Sequence, residues 1–231
     1  MSGDPKMGDR HSQALAAELI TDEAEKARRE ARNGILQFDH VTKLIEEFID
    51  PERPFKLRPS TLLALNRTAL DGINAYAGNY RPGPVTIGGS KHVPPGAHLV
   101  PELVEDLCDY VNLHWGDRSP IHLAAYVMWR LNWIHPFADG NGRTARAVSY
   151  LVLCVKSGMR LPGRKTIPEQ IATNKRPYYD ALESADEAAR SGAMDLSALE
   201  RLLSDLLAAQ LVEVHQLAGE AAAGTRQPSD T

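Results

Sequence analysis

The chain has 231 residues, 43 % of them hydrophobic and 24 % charged, with a formal net charge of −4. That is room for one substantial domain with appendages, and the acidic balance argues against a protein that coats nucleic acid. No apolar run approaches the roughly 18 residues of a membrane span, and the first residues carry no signal-peptide core, so the expected location is cytoplasmic. Cys108 and Cys154 lie inside apolar helical patterns without CxxC spacing. They read as buried free thiols in a reducing compartment, not as a disulfide or a zinc site.

Residues 1–11 are polar and are expected to be disordered. Residues 12–55 read as a helical extension. Leu15, Leu19 and Ile20 begin an apolar stripe, and Ile35, Phe38, Val41, Leu44, Ile45, Phe48 and Ile49 continue it more strongly. Between them Glu23 to Arg32 alternate in charge like a solvated helix face, and Asn33-Gly34 is a candidate break. Asp50-Pro-Glu-Arg-Pro ends the extension. The main domain is placed at 56–217. Its first helix opens at Pro59-Ser60, with Ser60 as N-cap, and runs through Leu62, Leu65, Ala69 and Leu70. Ala77 to His98 is rich in Gly and Pro, and Val85-Thr86-Ile87 followed by Gly88-Gly89-Ser90 suggests a small hairpin, with a plain long loop the other reading.

The next helix starts at Val100-Pro101-Glu102. A helix that is apolar nearly all round then spans Pro120 to Ile134 and is expected to be the buried centre, with His122 a satisfied core histidine. A further apolar helix runs from Thr144 to Ser157. Beyond a Pro/Gly turn at 158–165, Tyr178 and Tyr179 sit on a helix where core packing is the default. A leucine seam runs from Leu196 to Leu207 in the last helix, which is expected from Asp195 to about Leu217. Residues 218–231 are small and polar, and are expected to be disordered.

Between the two apolar helices lies His135-Pro-Phe-Ala-Asp-Gly-Asn-Gly-Arg-Thr-Ala-Arg146. Gly140 and Gly142 allow backbone angles that make successive N–H groups converge, and a helix beginning there adds unpaired N–H groups and a positive dipole end. That is an anion site. Arg143 and Arg146 are i,i+3, so their guanidinium groups share a helix face, and two such groups suit a polyphosphate. Asp139 is a hard oxygen ligand of the kind Mg²⁺ uses beside substrate phosphates. His135 could act as a general base on a hydroxyl near neutral pH. Taken singly, each of these has a bland reading: a helix terminus, a turn, two solvated arginines. Together in twelve residues they assemble the parts of nucleotidyl transfer.

The segment resembles the signature of the Fic family, H-P-F-x-[D/E]-G-N-G-R-x-x-R, at every specified position, and the likeness extends from about Leu57 to Asp186. The resemblance implies an all-α, Fic-type helical bundle with a small β-hairpin flap near the active site. It implies a protein adenylyltransferase that moves AMP from ATP to a Ser, Thr or Tyr hydroxyl of a target protein. His135 is then the general base and Asp139 the Mg²⁺ ligand, with Gly140, Asn141, Gly142, Arg143 and Arg146 on the phosphates. Tyr80-Arg81, with residues out to about 98, resembles the family's flap. Val85, Thr86, Ile87, Gly88, Gly89, Ser90, Lys91 and His92 would hold the target by strand addition, which demands little of its sequence. Tyr178 and Tyr179 resemble the element facing the adenine. Many relatives have Asn where this chain has Asp186, and an Asp accepts from the purine amino group but cannot also donate.

The implied partners are ATP and a hydroxyl-bearing protein, with neither membrane nor nucleic acid, and with homodimerisation open. The family's inhibitory motif, [S/T]-x-x-x-E-[G/N], has no clean copy. Thr21 to Glu25 is followed by Lys26, and Asn33-Gly34-Ile35 carries Asn where that motif has Glu. Arg146 argues against the phosphate-transferring Doc branch, and transfer of UMP or phosphocholine, or removal of AMP, is not separated by the signature. A non-catalytic binding module is the reading from another class, disfavoured by the intact signature. A metal hydrolase built on His135, Asp139 and His92 or His98 lacks paired-ligand spacing.

Overall fold

The computed structural model describes residues 12–13 and 18–224, with backbone alone at 12–13 and 217–224. The expectations for residues 1–11 and for 225–231 lie outside the described residues. The chain divides into two compact units that meet in sequence at Met159 and Arg160. Each is built mainly of helices.

The first unit begins with a two-residue strand, β1 (Ser12–Gln13), and helix α1 (Glu23–Phe48). Asp22 caps α1, its carboxylate accepting the Glu25 N–H at 2.7 Å. Leading into the cap, Leu19 donates its N–H to Ile73 O, and Ile20 is buried with Ala69, Leu70 and Ile73. The stretch at 18–22 is therefore an extended lead-in and not the helix expected from Ser12.

Asn33-Gly34 does not break α1. Gly34 faces open space, and Asn33 is buried, its amide donating to Ala69 O and Asp71 O. One turn later Gln37 Nε2 donates to Leu65 O. The packing face of α1 is thus polar in its first half and becomes apolar only at Val41 and Ile45, while Ile35 is 66 % exposed. Hydrophobic periodicity pointed to the wrong face there, because the partner surface is a row of backbone carbonyls and not a patch of side chains.

Helix α2 (Pro59–Leu70) follows, with Arg58 and not Ser60 at the cap position and no side-chain cap bond. After it, β2 (Thr86–Ile87) pairs antiparallel with β1, in the register Ser12↔Ile87 and Gln13↔Thr86. The expected flap hairpin therefore does not close on itself. Pro82, Pro84, Pro94 and Pro95 lack N–H donors, so only a short central stretch can join a ladder, and the strand beside it comes from the N-terminal segment.

Helices α3 (Val100–Leu113), α4 (Pro120–Ile134) and α5 (Asn141–Lys156) complete the unit. As expected, α4 is buried almost all round, from Leu123 to Ile134, and it packs along α5. Ser149 Oγ, on α5, donates to Ala124 O at 2.8 Å. α5 also packs against α1 and α2. His122 bonds to the Tyr110 hydroxyl at 2.9 Å, in keeping with a satisfied histidine. Cys108 and Cys154 are buried and form no disulfide, and burial pushes the Cys108 thiol pKa up to about 12.

The second unit holds α6 (Ile167–Thr173), α7 (Arg176–Arg190) and α8 (Ser197–Gly224). Leu196, Leu199 and Leu203 of the predicted seam are buried. Fully buried Gln210 fixes the preceding loop, accepting from Ile167 N–H and donating to Pro162 O. α8 extends past the expected end near Leu217, to Gly224.

Candidate active site

The site is the turn from His135 to Gly140 and the first turn of α5. His135 ends α4 in a left-handed conformation, φ 51°, ψ 57°, the only positive φ outside glycine among the described residues. Such a backbone costs roughly 1–2 kcal/mol for a residue with a Cβ, so it must be held from outside. Its own N–H bonds Leu131 O, its ring Nδ1 lies 3.2 Å from Asn132 O, and its carbonyl accepts from Arg81 Nε at 2.8 Å. A carbonyl only accepts, so Nδ1 carries the proton and the lone pair sits on Nε2. Burial is the main force on the imidazole and takes its pKa down to about 4. The Asn132 bond opposes that shift, the charges of Arg81 and His92 add to it, and Asp139 opposes it. The imidazole is therefore neutral at physiological pH.

Phe137, 1 % exposed, anchors the loop in the core as expected. Asn141 is buried and closes the turn on itself: Oδ1 accepts the Phe137 N–H and Nδ2 donates to Phe137 O, each at 2.9 Å. Its side chain is thus engaged in holding the loop shape. Gly140, φ 75°, is the N-cap of α5, and a Cβ on it would stand 3.1 Å from Asn66 Nδ2 and from Leu70 Cδ1. Only glycine fits that position. Asp139 accepts the Gly140 N–H and pairs with Arg143 at 3.0 Å. Arg143 also meets Glu30 of α1 at 3.2 Å. Arg146 has no carboxylate partner among the described residues, and one of its terminal nitrogens lies near Gly142.

The unit thus brings His135, Asp139, Gly140, Asn141, Gly142, Arg143 and Arg146 together around one turn. The flap stretch reaches the same place. His92 Nε2 donates to Trp133 O at 2.7 Å, and Val85 is buried while Thr86 is exposed. Tyr178 and Asp186, both buried, and half-buried Tyr179 lie on α7 in the second unit.

Three contributors escaped the sequence reading. Asn66 is fully buried on α2; its amide donates to Asp139 O and Thr144 Oγ1, and its carbonyl oxygen accepts from Gly78 N–H. Glu30 approaches the first signature arginine, although no motif marked it. Arg81 belongs to the flap in the sequence, and the structure bonds it to the His135 carbonyl.

No group of three or more His, Cys, Asp or Glu able to hold a metal occurs among the described residues. The donor chemistry at Asp139 is one half-exposed carboxylate beside a helix N-terminus. That fits Mg²⁺ held chiefly by substrate phosphates and water, and does not fit an all-protein cage.

The Fic/DOC family profile matches residues 56–153. The chain is 31 % identical over 157 residues to "Protein adenylyltransferase Fic" of Drosophila persimilis, covering 67 % of this chain and 29 % of that protein. It therefore spans less than a third of that relative's length. Two solved structures share the fold. A Fic-domain signalling protein of Bacteroides thetaiotaomicron superposes with TM-score 0.65 at 23 % identity, over 89 % of this chain and 76 % of that one. Fic-1 of C. elegans gives 0.63 at 22 % identity, over 87 % and 55 %.

Proposed function

With residues 56–153 belonging to the Fic/DOC family, we propose that the chain is a protein adenylyltransferase, moving AMP from ATP to a hydroxyl of a target protein. The observation that carries this is the state of His135: a buried, neutral imidazole whose Nδ1 proton is given to Asn132 O, with its lone pair on Nε2, at the mouth of a helix N-terminus bearing Arg143 and Arg146.

In this reading the α- and β-phosphates lie on the Gly140–Gly142 turn and on Arg143, with Asp139 releasing the Gly140 N–H, and Arg146 holds the terminal phosphate. The target hydroxyl oxygen attacks the α-phosphorus while its proton passes to His135 Nε2. The new O–P bond forms as the α–β bridge breaks, and pyrophosphate leaves. Mg²⁺ on Asp139 would neutralise phosphate charge. The protein's share is positioning and charge stabilisation, as in phosphoryl transfer generally. Arg143 must give up its pairing with Asp139 or Glu30 to take a phosphate. Both pairs are partly exposed, so that exchange is inexpensive.

The test is transfer of label from α-labelled ATP with Mg²⁺ onto a lysate and onto the protein itself, beside a γ-labelled control and the His135→Ala protein. Label from the α- but not the γ-position, lost in His135→Ala while nucleotide still binds, is the expected result. Absence of α-label, or near-full activity in the variant, overturns the reading.

A further inference from the structure

Arg81 is 3 % exposed, and every bond the structure gives it runs to a backbone carbonyl. Its Nε donates to His135 O at 2.8 Å, one terminal nitrogen to Gly83 O at 2.8 Å, and the other to Pro95 O. Its own N–H donates to Pro136 O at 2.9 Å. Burying a cation without a carboxylate is costly, and here burial lowers the guanidinium pKa. The location explains why it is tolerated: Arg81 sits at the C-terminus of α4, where the last carbonyls lack helical partners and the dipole end is negative.

The three acceptors belong to different parts of the site. Gly83 lies where the flap leaves the core and Pro95 where it returns, and His135 carries the base. The neighbours reinforce the link: the Tyr80 ring lies 6.2 Å from the Phe137 ring, and His92 grips Trp133 O on the preceding turn of α4. A planar fork of five donors can satisfy three carbonyls in fixed directions, which an ammonium on a flexible stem cannot do.

We propose that Arg81 is the positioning residue that joins both ends of the flap to the left-handed backbone of His135, holding the segment that seats the target and the base that deprotonates it in one rigid frame. The proposal rests on the adenylyltransferase reading for its consequence in catalysis, but the coupling itself is a property of the fold and is tested without turnover.

The experiment compares native-state hydrogen exchange in the full chain and in Arg81→Lys. The expected result is that the bonded amides of Arg81, Ser90 and His92 and those of His135 and Phe137 exchange at least tenfold faster together in the variant, with α5 beyond Ala147 unchanged. Unchanged flap exchange overturns the proposal, as does a faster flap with an unmoved His135 turn. Should Arg81→Lys lose protection everywhere, the wild-type protein decides. As denaturant rises, the Arg81 amide and the flap amides must reach the same opening free energy, and a flap that opens while the Arg81 amide stays protected sinks the idea. In turnover, Arg81→Lys is expected to lower kcat more than tenfold with the KM for ATP unchanged, since ATP lies on the Gly140 turn. A wild-type protein that transfers no AMP would strike the adenylyltransferase reading and leave the exchange result standing.

Discussion

At the scale of the residue, the site depends on two backbone positions that cannot relax. His135 holds a left-handed conformation because its carbonyl, its N–H and its ring are each bonded from a different direction. Gly140 holds one at φ 75°, where a Cβ would be strained and would press on Asn66 and Leu70 at 3.1 Å. Gly140→Ala is therefore expected to cost about 1–3 kcal/mol and to loosen the Asp139–Asn66 contact. Gly142→Ala, whose Cβ would meet only a movable Arg146 nitrogen at 3.3 Å, is the control and should be nearly neutral. Urea unfolding of both variants checks this. Equal losses in the two would mean that Gly140 is not conformationally special.

At the scale of the element, the flap strand has its edge occupied from within. β2 is paired with Ser12–Gln13, and residues 18–20, ahead of α1, are pinned by Ile20 in its small cluster and by Lys26 on Glu18 at 2.6 Å. A target that adds a strand to β2 along that edge must displace the chain's own. Removing residues 1–17 is accordingly expected to speed amide exchange across 86–87 and, on the adenylyltransferase reading proposed above, to raise transfer to a target several-fold with ATP affinity unchanged. No change in exchange at 86–87 would show that the native pairing does not protect the edge. Asn33, whose Asn-Gly-Ile resembles the inhibitory Glu-Gly-Ile, donates to Ala69 O and Asp71 O and so ties α1 to the end of α2. The one α1 carboxylate paired with a signature arginine is Glu30, and it meets Arg143 rather than Arg146.

At the scale of the whole molecule, burying a neutral histidine makes folding pH-dependent. Unfolded, His135 takes a proton near pH 6.5; folded, it resists until about pH 4. Between those values the unfolded chain binds the extra proton, so stability is full above pH 6.5 and falls as pH drops toward 4, by about 3 kcal/mol in all. His40, whose imidazole burial also lowers, is present in both proteins of the comparison and cancels. Urea unfolding at pH 7 and at pH 4.5 should show the wild-type protein losing more stability than His135→Ala. Parallel losses would mean that the imidazole is not held neutral by the fold. Among the described residues no helix is long and apolar enough to cross a membrane.

Much of the molecule is legible in its residues alone, and the reason is range. The twelve-residue signature is contiguous, so its turn, its helix start and its charged groups follow from local backbone chemistry. α4 and the seam of α8 show themselves by apolar spacing, since burial of side chains is what that spacing encodes. The tertiary structure alone decided the rest. The bonds from Arg81 to His135, from Asn66 to Asp139 and from Arg143 to Glu30 join residues 54, 73 and 113 positions apart. Two of these are side chains meeting backbone carbonyls, and a carbonyl leaves no mark on a sequence because every residue has one. For the same reason the polar face of α1 and the strand beside β2 could not be read in advance: main-chain acceptors chose the partners, and only the fold says which main chain is near.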